Sequence, residues 1–345
     1  MKRFPLLAVV LTVAAVAAEP TWDWGEARDE WASSPEYESS KALCRRVRDR
    51  EPPASDRPDS ATAESLKGCS SEALYFGIGR PADPVRARQC AFLEAETEEG
   101  SPFAGRSMLM TIYANGRGAR RDLDVAIHLA CGLEGAPMES HGRVTRLAEL
   151  KAKGWKGDDF HYCDDITSGL AMGHCADHGA TIEGAKREAE LARLSASWTA
   201  AEKQALARLR QAHEAFADAH SSGEIDLSGT ARGALAIAAE EALRDELLGL
   251  VRELSAGRAP RYDAGAHRLA DSRLNAAYRG LMRATAPAEW PGAVTREGIR
   301  DAQRAWLRYR DAALAFAAVK FPKASRDSLA AWLTEKRTRM LSAEE

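Results

Sequence analysis

The last 170 residues of this 345-residue chain contain no cysteine, and the six that exist, at positions 44, 69, 90, 131, 163 and 175, all precede residue 176. Any sulfur staple is therefore confined to the first half. No Ser-x-x-Lys, Lys-Thr-Gly, Gly-x-Ser-x-Gly or Walker loop occurs, which removes the usual serine acyl-enzyme and nucleotide-hydrolase machineries. No sign of charge dominates either: 48 Lys and Arg stand against 51 Asp and Glu, a formal −3. Binding a nucleic acid by phosphate neutralisation needs a basic excess, so no nucleic-acid partner is expected. Past the first 18 residues no apolar run approaches the ~18–20 residues that cross a bilayer, and no stretch alternates apolar and polar residues with period two over a useful length. Strands are thereby disfavoured.

What is present begins with an address. Lys2 and Arg3 precede the apolar run Phe4 to Ala18, which ends in small residues before Glu19 and Pro20. This is the layout of a secretory signal, residues 1–18, too short and too closely followed by acids to be an anchor. Its removal moves the formal charge from −3 to −5. Export to a periplasmic or secreted location makes disulfides the first reading of six cysteines without any Cys-x-x-Cys, and six allow 15 connectivities. Near-neighbour pairing, Cys163 with Cys175 first, is the favoured expectation.

Residues 19–65 carry Trp22, Trp24 and Trp31 and then a Pro-containing stretch, Glu51 to Pro58, that reads as loop. From 66 to 150 the chain takes on a repeating character. Leu74-Tyr75-Phe76-Gly77-Ile78-Gly79 leads through Asp83 to Ala87 and Cys90, and 38 or 39 residues later Ile112-Tyr113-Ala114-Asn115-Gly116-Arg117-Gly118 leads through Asp122 to Ala126 and Cys131. That period indicates helical hairpins, with the glycine ending one helix where φ > 0 is needed and the Asp capping the next. The Tyr-x-x-Gly-x-Gly and Asp-x-x-x-Ala pattern resembles the Sel-like α/α repeats, and the resemblance implies a short solenoid used for protein contacts.

From about 155 onward the chain is rich in Ala, Leu, Arg and Glu, a helical composition. Apolar positions recur at three and four in Ile299, Ala302, Ala305, Trp306, Tyr309, Ala312, Ala313 and Phe316, in Leu269, Leu274, Tyr278 and Leu281, and in Leu329, Trp332, Leu333 and Met340. Each set is one helix face. The fold class expected is all-α: disulfide-stapled helical-hairpin repeats followed by small helical bundle units. Leu209 to Phe216 also aligns with Ile299 to Trp306 at an offset of 90, which suggests an internal duplication.

Asp271-Ser272-Arg273-Leu274-Asn275-Ala276-Ala277-Tyr278, followed by Arg300-Asp301-Ala302-Gln303-Arg304-Ala305-Trp306-Leu307-Arg308-Tyr309-Arg310-Asp311, resembles the LprI-type lysozyme inhibitor family. Its pattern is carried by Asn275, Tyr278, Gln303, Trp306, Tyr309, Arg310 and Asp311. The resemblance implies one helical unit at 261–345 and a degenerate copy at 155–255. In that copy Cys163 and Cys175 resemble the family's paired cysteines, and Ala219 and His220 replace Tyr309 and Arg310. Leu314 stands where the family often has a cysteine, so the last unit lacks the usual staple. Trp306, Tyr309 and Tyr278 are expected in the core, because large aromatics dominate small helical cores. Arg310 and Asp311, as sequence neighbours, are not expected to face each other.

The function implied is that of a non-enzymatic exported protein, without cofactor, that binds another protein. The named partner is a lysozyme, whose two-carboxylate cleft would be occluded. Loop candidates for the contact are Glu289 and Trp290 between helices, and Glu224 and Asp226 in an earlier turn. A scaffold acting through the Sel-like repeats is the alternative. A further alternative is a metal-dependent hydrolase centred on His174 and His178, which would share a helix face at i, i+4, with His161 or Asp177 as third ligand. His213 and His220 are expected in solvent.

Overall fold

The structure is a computed structural model that describes residues 22–97 and 101–342. The expected signal at 1–18 lies outside the described residues. The described residues contain helices and no strand, as the periodicity requires. The helices are α1 (Glu38–Val47), α2 (Ser60–Ser65), α3 (Ser71–Phe76), α4 (Pro84–Glu94), α5 (Gly105–Asn115), α6 (Leu123–Cys131), α7 (Pro137–Ala152), α8 (Gly169–Ser195), α9 (Ala200–Gly223), α10 (Arg232–Ser255), α11 (Ala266–Ala284), α12 (Arg296–Lys320) and α13 (Arg326–Ser342).

Two hairpins, α3–α4 and α5–α6, stack through α4 and α5. Local chemistry sets both turns alike. Gly77 and Gly116 end α3 and α5 at φ of 75° and 64°, a region that costs any other L-residue strain. Asp83 then accepts a hydrogen bond from the Arg86 N–H at 3.1 Å, and Asp122 accepts from the Asp124 and Val125 N–H groups. One apolar core runs from Trp24 to Phe160 and includes Tyr75 and Tyr113. The Trp24 indole N–H donates to Ser40 Oγ at 2.8 Å, which fastens the tryptophan-bearing segment to α1.

All six cysteines are paired. Cys69 joins Cys90 and Cys163 joins Cys175, 21 and 12 residues apart, but Cys44 joins Cys131 across 87 residues. That last bridge departs from near-neighbour pairing because α1 packs directly on α6.

A second core takes in Leu191 to Leu341, so residues on both sides of position 260 share one interior. α8 pairs with α10, α11 with α13, and α9 with α12. The α9–α12 pair is antiparallel: Gly223 at the end of α9 meets Gly298 at the start of α12, and Glu202 at the start of α9 meets Lys320 at the end of α12 at 2.9 Å. α12 buries Ile299, Ala302, Ala305, Trp306, Tyr309, Ala313 and Phe316. On α11 the buried face is Ala270 and Leu274 with Tyr278 and Leu281 half-buried, and Leu269 is 54% exposed rather than part of it. α8 spans both cores, with Cys175 packed on the first and Leu191 in the second. Glu139 of α7 fixes its start by accepting from the Thr167 and Ser168 N–H groups at 2.8 and 2.6 Å.

Candidate functional site

The histidines proposed for a metal do not assemble. His174 is exposed while His178, one turn later, is buried. His178 Nδ1 lies 2.5 Å from Glu72 Oε1, and its Nε2 lies 3.2 Å from His161 Nε2. The Cys163 N–H donates to His161 Nδ1 at 3.2 Å, which leaves the proton on His161 Nε2 to donate to His178, and the His178 Nδ1–H to donate to Glu72. Phe103 stacks on His178 with ring centres 3.8 Å apart, and Phe76 meets it edge-on. Burial, then the neighbouring His178, push the His161 imidazole below its ordinary value against the pull of Asp164. The cluster is a hydrogen-bonded junction between α3 and α8, and no group of three or more metal-binding side chains occurs among the described residues.

The C-terminal pattern residues of α12 reach three neighbouring helices, α9, α11 and α13, rather than one. Trp306 is 2% exposed, and the Arg310 guanidinium lies over its ring at 5.3 Å. Arg310 reaches Asp311 at 3.3 Å and Asp271 of α11 at 4.0 Å. Arg310 and Asp311 thus do touch, because the long guanidinium folds back along the helix surface. The Asn275 side chain in turn donates to Asp271 Oδ2 at 3.1 Å. Tyr309 stacks on Phe216 of α9 at 5.8 Å and meets His213 edge-on at 5.1 Å. Burial, with Glu246 nearby, pushes the Tyr309 phenol up.

Gln303 leads to a group that sequence reasoning missed. Its Oε1 accepts from Arg337 Nε at 2.9 Å, and Arg337 also donates from both terminal nitrogens to Glu224, at 2.8 and 2.5 Å. The Arg337 side chain is 0% and that of Glu224 8% exposed. Burial raises the Glu224 carboxyl, but hydrogen bonds from His220 and Arg337, together with their charge, more than offset that and hold it below the usual range. Glu224 is thus a core ion-pair member rather than a free loop contact. His213 is likewise 1% exposed, its Nε2 on the Leu243 carbonyl at 2.9 Å, and His220 is bound to Glu224 at 2.8 Å, so neither is in solvent. Asp226 caps its own turn through the Ser228 N–H. Glu289 is exposed and Trp290 is 71% exposed, on a connection held where the Leu227 N–H donates to the Gly292 carbonyl at 2.8 Å. These two remain available to a partner.

A cleft of about 330 Å³ opens between α8, α9 and α10. Its wall is an ion-pair lattice: Arg187 bridges Glu241 and Asp245, Arg244 bridges Glu214 and Glu241, and Arg210 joins Glu188. The arginines are already committed to carboxylates, which makes this wall self-satisfied.

The arrangement offers buried packing, ion pairs and an exposed connection; Ser40 Oγ does lie 3.0 Å from His141 Nδ1, but that hydroxyl is fully buried and already accepts from the Trp24 indole. Among the described residues no helix is long and apolar enough to cross a membrane. No curated protein and no solved structure matches the chain. Residues 262–341, which hold α11, α12 and α13, match the model of the family described as lysozyme inhibitor LprI.

Proposed function

We propose that this is an exported, non-enzymatic protein that binds a lysozyme-type muramidase and occludes its cleft. The observation that carries the reading is the LprI match across α11 to α13, where Gln303 accepts from Arg337 of α13, Arg310 lies over Trp306 and beside Asp311, and Tyr309 packs on Phe216 of α9, outside the matched segment. The contact is assigned to the connection bearing Glu289 and Trp290, since it is exposed and follows the matched helix α11.

In this reading residues 155–255 are a degenerate second copy. Packing register supports it: stepping inward from the Gly223–Gly298 contact brings Phe216 opposite Ala305, one position from Trp306, which stands 90 residues after Phe216. Glu246 and Lys336, also 90 apart, form an ion pair of 2.9 Å. Phe216 and Trp306, Leu243 and Leu333, and Glu246 and Lys336 line one small cavity. Residues related by the offset therefore face one shared interior, as they do across a twofold axis between duplicated units.

The experiment is titration of the purified chain into a muramidase turbidity assay. Loss of lysis near one equivalent supports the reading, and full lysis at large molar excess across lysozyme classes removes it. A scaffold acting through Sel-like repeats at 66–150 is the second reading, favoured by the repeated Gly77/Asp83 and Gly116/Asp122 turns. It predicts that envelope partners are captured by the full chain and lost when the exposed surface of α3 to α6 is altered.

A further inference from the structure

A whole-chain charge near zero conceals a segregation. Residues 262–341 carry 15 Lys and Arg against 8 Asp and Glu, while residues 22–261 carry 31 against 40. Within the basic segment α11 carries 4 Arg against 1 Asp. That helix turns Ala270 and Leu274 inward against α13 and leaves Arg268, Arg273, Arg279 and Arg283 exposed. None of the four forms an ion pair with a carboxylate among the described residues. The lone acid of α11, Asp271, is half-buried and directed to Arg310 of α12.

At 100° per residue, Arg268, Arg279 and Arg283 fall within about 60° of one another along about 22 Å of helix. Leu269 is 54% exposed within this surface, and Trp290 is 71% exposed on the connection that follows the helix. A straight row of unpaired guanidinium groups with an aliphatic side chain beside it, and an exposed indole on the connection that follows, suits a planar anionic surface with an apolar interior: the guanidinium groups meet headgroup phosphates, and Trp and Leu sink between them. A soluble polyanion offers the arginines a partner but leaves Leu269 and Trp290 without one.

We infer that the exposed face of α11, with Trp290, docks the protein on an anionic phospholipid surface, an occupancy of Trp290 that excludes its simultaneous use as the muramidase contact. The acidic remainder of the chain does not oppose this, because at physiological salt charges more than about 8 Å from the surface are largely screened. The protein then sits on the membrane by its basic helix with the acidic body directed away.

The test is co-sedimentation of the full chain with vesicles of phosphatidylglycerol and phosphatidylcholine, against phosphatidylcholine alone. Binding is expected only to the anionic vesicles and is lost near ~1 M salt, where the screening length is about 3 Å. Each basic side chain at such a surface contributes about fivefold to the partition. The variant R268Q/R273Q/R279Q/R283Q is therefore expected to lose nearly three orders of magnitude, about 600-fold, whereas K203Q/R208Q, at two exposed cations of α9, changes partition little. Circular dichroism checks that the variant keeps its helix content. Equal binding to both vesicle types, undiminished binding of the four-site variant, or binding to soluble poly-glutamate without binding to vesicles overturns the inference.

Discussion

Arg337 of α13 and Glu224 at the end of α9 form a two-pronged ion pair inside the second core, 113 residues apart in the chain. Gln303 takes the third edge of the guanidinium and Phe216 lies under it at 5.4 Å. Removing one partner of a buried pair leaves the other charge uncompensated, which costs about 3–5 kcal/mol. Glu224→Ala is therefore expected to lower the urea midpoint of the second core strongly. The double variant Glu224→Leu/Arg337→Met recovers most of the loss, because exchanging the whole pair for apolar groups is close to neutral.

The α9–α12 crossing depends on two glycines. A Cβ on Gly298 would lie 2.6 Å from the Gly223 carbonyl oxygen, and one on Gly223 would lie 2.8 Å from that of Gly298. Gly→Ala inside a helix normally stabilises by about 0.5–1 kcal/mol. Gly298→Ala is expected to destabilise instead, by about 1–3 kcal/mol, since the clash is with backbone. Gly249→Ala and Gly280→Ala, where nothing lies within 4 Å of the added carbon, are expected to show the ordinary gain in thermal midpoint.

Reduction should separate the two cores. The Cys44–Cys131 bridge closes 87 residues and Cys163–Cys175 closes 12, worth about 4–5 and about 3 kcal/mol in the chain-entropy account. The second core holds no cysteine. Calorimetry with and without reductant is expected to show one transition moving to lower temperature and the other staying in place. Cys44→Ser/Cys131→Ser should reproduce the larger part of the movement.

Acid should loosen the first core before the second. In the folded chain His161 holds its proton less tightly than in the unfolded one, where the ordinary value of 6.5 applies. As pH falls through 6.5 the unfolded chain takes up a proton that the folded chain refuses, so stability contributed by the neutral imidazole is present above that value and declines below it. Glu224 works in the opposite chemical sense but also at the acid end: its depressed carboxyl stabilises the second core above the ordinary 4.5 and is lost at lower pH. Near-UV dichroism between about pH 7 and pH 5 is expected to register the first core alone, and His161→Gln should flatten that dependence.

Much of the architecture was legible because it rests on short-range rules. Gly77, Asp83, Gly116 and Asp122 announce their turns by residue type and spacing, and the three-and-four pattern from Ile299 to Phe316 lies on one buried face. Long-range relations were not legible. Nothing near Glu224 in sequence announces Arg337, and a carboxylate read alone looks like surface. His213 could have been found: with Leu209 and Phe216 it stands on the buried stripe of α9, a clue that its polarity masked. His174 and His178 satisfy the i, i+4 spacing, yet the packing of Phe76 and Phe103 takes one of them inside and leaves the other out. The arginine face of α11 was hidden by a sum, since the net charge of the chain averages the basic end with the acidic remainder.

Occlusion of a muramidase cleft is tested most directly by steady-state kinetics on a soluble chitooligosaccharide, which removes any effect of adsorption to cell walls. With increasing amounts of the full chain, the apparent KM of the inhibited lysozyme is expected to rise while kcat holds, and replacement of Trp290 by Ala is expected to weaken that rise. An unchanged KM and kcat across a panel of lysozyme classes, at protein in large molar excess, would contradict the account.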